Sequence, residues 1–444
     1  MPIKQADVRM DTEPGEYLNE WRETPLTSVA GIRFSNVNKV SQPGEKPVRL
    51  CNYTDVYKND YVTADMDFMR ATATRLEIER FGLQAGDVII TKDSETPDDI
   101  GIPTVVDMTA PDLVCGYHLA LLRPNQDLVD PTFLAKQLAH HRIARYFGQQ
   151  ANGTTRYGLS TVAIANAPLH LPRLESQRSA SALMRLVDIH IRKTEAVIAK
   201  LKQVRSGLLH DLLSYGLDDN GRLRDPITHP EQFKDSPLGR MPREWEVIEL
   251  SKVGDIVTGT TPPSSEPAAW GNKVPFITPA EITIDGEVLS PERLISDHGR
   301  NFTRELPAFS VLVVCIGSTL GKVAVAPWPC VTNQQINTIV CRPDYQHGFI
   351  SSMVKHHIRQ LHLWAGLQAV PIVNKSQFSR MLIPVALPSE QMRIAGMVEQ
   401  SDRNIQAEVN ECRKLKNLKS GLQNDLLTGG VRVPESIMEG SSGA

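Results

Sequence analysis

Apolar residues recur at steps of three and four through two long stretches of the chain. Leu183, Val187, Ile191, Thr194, Ile198, Leu201, Val204, Leu208 and Leu212 make one stripe. Ile394, Val398, Ile405, Val409, Cys412, Leu415, Leu418, Leu422 and Leu426 make the other. Spacing near 3.6 residues places each set on one face of a helix, with Arg and Lys on the remaining faces. Pro172 and Pro388 stand where such helices begin, and Gly216 and the pair Gly429-Gly430 stand where they stop. The pattern predicts helices over 172–216 and 388–430. At 1.5 Å per residue, roughly 40 residues give a rod of about 60 Å. A stripe that long needs a long partner, and the other stripe supplies one if the chain folds back, which gives an antiparallel pair. Each helix packing on its own globular part is the alternative.

The two stretches are copies of each other. Leu201 to Gly216 (LKQVRSGLLHDLLSYG) and Leu415 to Gly430 (LKNLKSGLQNDLLTGG) are identical at nine of sixteen positions without a gap. Gln177, Asp188 and Ile191 meet Gln391, Asp402 and Ile405 at the same offset of 214. Leu171-Pro172 meets Leu387-Pro388 and His140-His141 meets His356-His357 at 216, while Glu20-Trp21, Leu26 and Val29 meet Glu244-Trp245, Leu250 and Val253 at 224. The chain is therefore two tandem units with variable front parts. Their order is a front part over 1–171, a helix over 172–216, a linker or ordered crossing loop over 217–240, a second front part over 241–387, a helix over 388–430 and a tail over 431–444. Runs such as Asp87 to Thr91, Ser310 to Cys315 and Asn337 to Cys341, broken by Gly and Pro, make the front parts α+β. The expected fold is α+β, with two tandem domains separated by two long antiparallel coiled-coil helices in a pseudo-twofold internal repeat.

Composition narrows the setting. At 444 residues with 41% apolar and 22% charged positions, the chain has the make-up of a folded protein of two or three domains. Cys51, Cys115, Cys315, Cys330, Cys341 and Cys412 are irregularly spaced with no C-x-x-C pair, which argues against a zinc cage or a disulfide framework. The most apolar stretch, Phe309 to Ile316, is too short to span a bilayer, and no charged-then-apolar leader opens the chain. A cytoplasmic location is expected. Forty-eight basic residues against 51 acidic ones give a net charge of −3, so any nucleic-acid binding must be local.

The usual catalytic marks are absent. Gly317 to Lys322 (GSTLGK) has one residue too few between its glycines for a P-loop, and Val323 stands where magnesium needs Ser or Thr, so a glycine turn between strands is expected. Adjacent histidines point apart and make no metal site. Neither a G-x-S-x-G elbow nor a G-x-G-x-x-G loop occurs. Charge is uneven in two places. From Pro131 to Thr161 stand Lys136, Arg142, Arg145 and Arg156 without an acid, interleaved with Phe133, Tyr146, Phe147 and Tyr157. From Ser351 to Met381 stand Lys355, Arg359, Lys375 and Arg380, again without an acid, beside Trp364 and Phe378. Acid-free basic stretches at corresponding places in both units suit phosphate neutralisation with local base contacts, and Asn333, Gln334 and Gln335 can pair with adenine edges. A solvated basic face on each domain is the plainer reading.

At this point the chain resembles the specificity subunits of type I restriction-modification enzymes. The resemblance rests on the twin helical tails, the L-P-x-x-x-x-Q and L-P-x-x-Q helix entries at Leu171 and Leu387, the run FKDSPLGRMPREWEV (Phe233 to Val247) and the loop GSTLGKVAV (Gly317 to Val325). It implies that 1–171 and 241–387 are target recognition domains, each reading one half of a bipartite site in double-stranded DNA. Expected DNA contacts are Lys136, Arg142, Arg145, Arg156 and Tyr157 in the first, and Asn333, Gln334, Gln335, Arg359, Lys375 and Arg380 in the second. The long helices are expected to set the gap and to dock two modification (methyltransferase) subunits through Leu183, Val187, Leu201, Leu208, Leu415, Leu422 and Leu426. The resemblance implies no catalytic residue, metal or cofactor on this chain. S-adenosylmethionine would belong to the modification subunits, and ATP and Mg to restriction (nuclease/translocase) subunits. Thr91 to Glu95 (TKDSE) replaces the glycine loop in the first unit, so its DNA loop is expected to differ. Two other readings stay open, a single-chain restriction/methyltransferase enzyme and a coiled-coil adaptor between protein- or sugar-binding domains.

Overall fold

The computed structural model describes residues 21–366, 370–431 and 433. Glu20 and nearly all of the tail expected over 431–444 lie outside the described residues. The two long helices are unbroken, over Leu174–Tyr215 and Pro388–Thr428. The chain forms two compact units whose boundaries fall inside these helices. Residues up to Glu195 join those from Asn410 onward in one unit, and Ala196–Val409 form the other.

In the first unit a five-stranded sheet runs in the order Ala30–Phe34, Leu119–Pro124, Val88–Thr91, Pro103–Val106, Tyr61–Val62, antiparallel except for its last pair. Successive side chains of a strand face opposite sides. Val88 and Ile90 accordingly enter a core with Phe133, Leu134 and Leu138 of the helix Pro131–Ala139, while Ile89 enters a second core with Leu119 and Leu121. Burial on both faces is why the strand is a continuous apolar run. Ala180 and Met184 of the first long helix and Leu426 and Leu427 of the second close the first of these cores.

The second unit repeats the plan. Its four-stranded sheet runs Gly254–Thr258, Ile336–Cys341, Val311–Val314, Val323–Val325. Val311 and Val313 face one core, which also holds Phe349 and Met353 of the helix His347–His356 and Leu212, Leu213 and Ile394 of the long helices; Leu312 and Val314 face another. The strand leading into each long helix pairs antiparallel with a strand near the start of its front part, Pro168–Leu171 with Arg22–Pro25 and Leu382–Val385 with Glu246–Glu249.

Within each unit the long helices run antiparallel. In the first, Lys416 meets Glu195 at 2.7 Å and Lys419 meets Asp188 at 2.7 Å. In the second, Arg205 Nη2 donates to Asp402 at 3.0 Å. The offset of 214 carries Asp188 to Asp402 and Arg205 to Lys419, so this is one ion pair made twice with the helices exchanged.

Other repeated positions do repeated work. Gln177 is 1% exposed; it accepts from the Asp130 amide at 3.0 Å and donates to the Pro172 carbonyl at 2.9 Å. Gln391 is equally buried, accepting from the Gln346 amide at 2.9 Å and donating to the Ala386 carbonyl at 2.9 Å. Each glutamine thus ties a helix entry to the cap of the neighbouring helix. Gly216 and Gly429 end the long helices at φ 64° and 75°, the left-handed region in which a side chain is strained. The indole of Trp245 lies over Gly216 and that of Trp21 over Gly429.

The linker is an ordered crossing loop. Arg224, 8% exposed, meets Glu390 at 2.7 Å and Glu244 at 3.2 Å, and Glu390 also accepts from Trp245 Nε1 at 3.1 Å and the Leu217 amide at 2.7 Å. A buried carboxylate with this many donors is fully compensated.

Candidate nucleic-acid interface

In the second unit three loops converge at one end of the sheet. The glycine loop is the tip of the antiparallel hairpin Val311–Val314/Val323–Val325, as its sequence predicts. Gly317 and Gly321 take φ of 99° and 96° there. The Lys322 ammonium is spent on the carbonyls of Pro279 (3.1 Å) and Ile282 (2.6 Å), which leaves it no role as a phosphate ligand. Beside the tip lies Asn333–Gln335. Asn333 Nδ2 donates to Gln335 Oε1 at 2.9 Å, its Oδ1 accepts from the Gln335 amide at 3.2 Å, and exposed Gln334 accepts from Thr261 Oγ1 at 2.7 Å. The third loop comes from the other side. Gly317 donates to the Pro371 carbonyl at 3.0 Å, Ile316 pairs with Ile372, and Asn374 then caps the helix Lys375–Ser379.

The first unit builds the same arrangement from other residues. Leu119 pairs with Thr91 as Ile336 pairs with Val314, so His118 stands where the second unit has Gln335 and Lys92 where it has Cys315. The Asp93 carboxylate bridges Lys92 Nζ at 2.9 Å and His118 Nδ1 at 2.8 Å. Ser94 pairs with Tyr157, the Leu159 amide donates to the Lys92 carbonyl at 2.9 Å, and Ser160 caps the helix Thr161–Ala165.

The structure sorts the expected contacts. Arg145 and Arg156 in the first unit, and Arg359, Lys375 and Arg380 in the second, are exposed and have no carboxylate partner among the described residues. Arg142 is exposed and meets His170 Nε2 at 3.2 Å. Tyr157 is half-buried against the first core.

Lys136 is a correction. It is 7% exposed, with its ammonium 3.0 Å from Asp60 and 2.8 Å from Asp188, so it closes an internal ion cluster and does not face a polyanion. Lys355 is likewise bound to the carbonyls of Ile284 (3.1 Å) and Asp285 (3.3 Å), and burial holds its ammonium below the usual lysine range. The interleaved aromatics Phe133, Phe147 and Phe378 are core residues.

The helix positions expected to dock partners also need correction. Leu426 is 4% exposed, Leu183 and Leu422 pack on the first core and Leu208 on the second, while Val187, Leu201 and Leu415 are half-buried. Most of each stripe is turned inward, while Val204 and Leu418 within the stripes are exposed. Outside the stripes, Leu186, Val197, Met392 and Met397 are the exposed large apolar side chains of the long helices among the described residues.

Comparison with known proteins bears on this arrangement. The family profile described as the type I restriction modification DNA specificity domain matches residues 242–417. Over 441 residues the chain is 24% identical to a type I restriction enzyme MjaX specificity subunit of Methanocaldococcus jannaschii, covering 95% of this chain and 96% of that one. It is 21% identical to the HindI specificity subunit of Haemophilus influenzae, over 84% of this chain and 91% of that one. The fold matches the S subunit of the type I restriction-modification system from M. genitalium with a TM-score of 0.58, at 13% identity over 91% of this chain and 96% of that one. Nearly the whole chain is thus similar to type I specificity subunits, and residues 242–417 match their DNA specificity domain.

Sequence reasoning passed over His118 in the first unit and Thr261 in the second, and named Lys92 and Asp93 only within the divergent loop Thr91 to Glu95. The signal was available. The alignment of TKDSE with GSTLGK places the first unit's loop, but Asp93 and Glu95 keep it out of the acid-free basic stretches.

Proposed function

We propose that this chain is a specificity subunit that reads a bipartite site in duplex DNA, one half with each unit, and leaves catalysis to other subunits. The observation that carries the reading is the recurrence of one loop arrangement in both units. A loop after a central strand, a loop before its neighbour and the segment entering a short capped helix come together, flanked by basic side chains without carboxylate partners. Exposed Arg and Lys neutralise phosphates, while Gln, Asn, His and Asp at the loop tips offer donors and acceptors to base edges.

Two modification subunits using S-adenosylmethionine, with nuclease subunits using ATP and Mg, complete the complex in this reading. Both long helices contribute to both units, so their length sets the gap between half-sites. No described helix is long and apolar enough to cross a membrane, and the proposed work on DNA places the protein in the cytoplasm.

The test is selection from a random duplex library by the chain assembled with modification subunits. Two constant half-sites at a fixed gap are expected. Salt-insensitive binding or no selection would favour an adaptor, and methyl transfer by the isolated chain would make it the enzyme.

A further inference from the structure

The second unit exposes apolar side chains where the first exposes polar ones. Ile143 and Phe147 are the buried residues of the helix His141–Gln150, as Leu361 and Ala365 are of the helix Arg359–Ala365. Matching those pairs puts Gly148 on Gly366, Tyr146 on Trp364 and Arg145 on Leu363. Exposed Arg145 is thus replaced by a leucine that is 79% exposed, and half-buried Tyr146 by a tryptophan that is 39% exposed.

The segment that carries these side chains reaches the hairpin tip through Ile358 and His362. A Cβ at Gly321 would lie 2.9 Å from His362 Nε2, so His362 faces the tip, and Arg359 shares its helix face three residues away. Ile372 (45% exposed) pairs with Ile316 beside the tip, and Val370 (53%) precedes Pro371, whose carbonyl accepts from the Gly317 amide.

Two features choose the occupant. Ser351 to Met381 contains no acid, and Arg359, Lys375 and Arg380 of the same stretch are exposed, which suits a polyanion. The thymine C5-methyl is the apolar group that a duplex presents in its major groove. We propose that Leu363 and Trp364 form the apolar contact through which the second unit reads thymine methyl groups in its half-site. The proposal rests on the DNA-reading function proposed above, and the first unit reads its half by hydrogen bonding.

The experiment uses the chain assembled with its modification subunits and the duplex returned by library selection. Each thymine of both half-sites is replaced singly by deoxyuridine, which removes the methyl and leaves every hydrogen bond. Binding is followed by fluorescence anisotropy. At one or more thymines of the second half-site, affinity should fall about fourfold, the equivalent of about 0.8 kcal/mol for one buried methyl. Leu363→Ala and Trp364→Ala should bind the thymine and uracil duplexes alike. Both side chains are at least partly exposed, and an unchanged melting temperature verifies the fold.

Uracil insensitivity throughout the second half-site, sensitivity that persists in both variants, or a second half-site without thymine on either strand would overturn the proposal. So would loss of the modification subunits from the variants with DNA discrimination intact, which would assign the patch to a protein partner. Each of these results leaves selection of a bipartite site standing. Failure of that selection would instead remove the reading on which the proposal rests.

Discussion

Replacing Lys136 by methionine separates an internal ion cluster from a DNA contact. The Lys136 side chain is 8% exposed and lies 2.8 Å from Asp188, itself 4% exposed, and 3.0 Å from half-exposed Asp60. Methionine keeps the apolar stem and removes the charge. Breaking a buried ion pair costs about 3–5 kcal/mol because an uncompensated charge stays behind. Here Asp188 keeps Lys419 at 2.7 Å and the Tyr61 hydroxyl at 3.0 Å, which brings the expected loss to about 2–3 kcal/mol. For a unit of this size that lowers the melting temperature by about 4–12 °C. Burial would raise the Asp60 carboxyl, but Lys136 and Lys419 outweigh it and hold it at about 2. A carboxyl depressed on folding contributes stability above its unfolded pKa and loses it as pH falls through the folded value. The wild type should therefore keep this contribution down to about pH 4 and lose it toward pH 2, and Lys136→Met should lose it at higher pH. Thermal unfolding followed by circular dichroism across pH measures both effects. An unchanged melting temperature with a salt slope of DNA binding reduced by about one unit would refute the reasoning and return Lys136 to the DNA surface.

Gly207 and Gly421 are equivalent mid-helix positions where an added Cβ meets nothing within 4 Å, so Gly→Ala at either should stabilise by about 0.5–1 kcal/mol in denaturant unfolding. Alanine at Arg145, Arg156, Arg359, Lys375 or Arg380 should weaken DNA binding without lowering the melting temperature; salt titration then separates phosphate contacts, which reduce the slope, from base contacts, which cost about 1–3 kcal/mol at one position. Burial, reinforced by neighbouring His356, pushes the His357 imidazole down to about 4. The unfolded chain therefore binds the extra proton between about pH 6.5 and 4, stability falls as pH drops through that window, and His357→Gln should flatten the dependence in unfolding scans.

The long helices were legible because their signal is periodic and repeated. Their partner-docking assignment failed for the same reason, since periodicity marks the buried face and says nothing of what remains outside. Lys136 failed because sequence shows a charge and not its counter-charge. Asp60 and Asp188 come from elsewhere in the chain, and only the fold brings them to one ammonium. The hairpin turn at Gly317–Gly321 was readable from local chemistry, as two glycines between apolar runs have few other uses. The bridge of Asp93 with Lys92 and His118 was not, because it joins residues on two loops that meet through strand register.

The internal repeat divides the residues by what they must do. Gln177 and Gln391, the pairs Asp188–Lys419 and Arg205–Asp402, and Trp21 and Trp245 over their glycines all hold one frame twice. Replacing either buried glutamine leaves buried backbone groups unmatched, whereas the ion pair is made with Arg205 in one copy and Lys419 in the other. The loop tips carry no such constraint. Lys92, Asp93 and His118 in one unit correspond to Cys315, Ile316 and Gln335 in the other, and both tips hang from equivalent strands. Side chains on such tips can change from ionic to apolar without disturbing the two-sided sheet beneath them. A change of DNA target therefore requires substitution at a few tip positions, while the strands and the buried glutamine of each unit stay as they are.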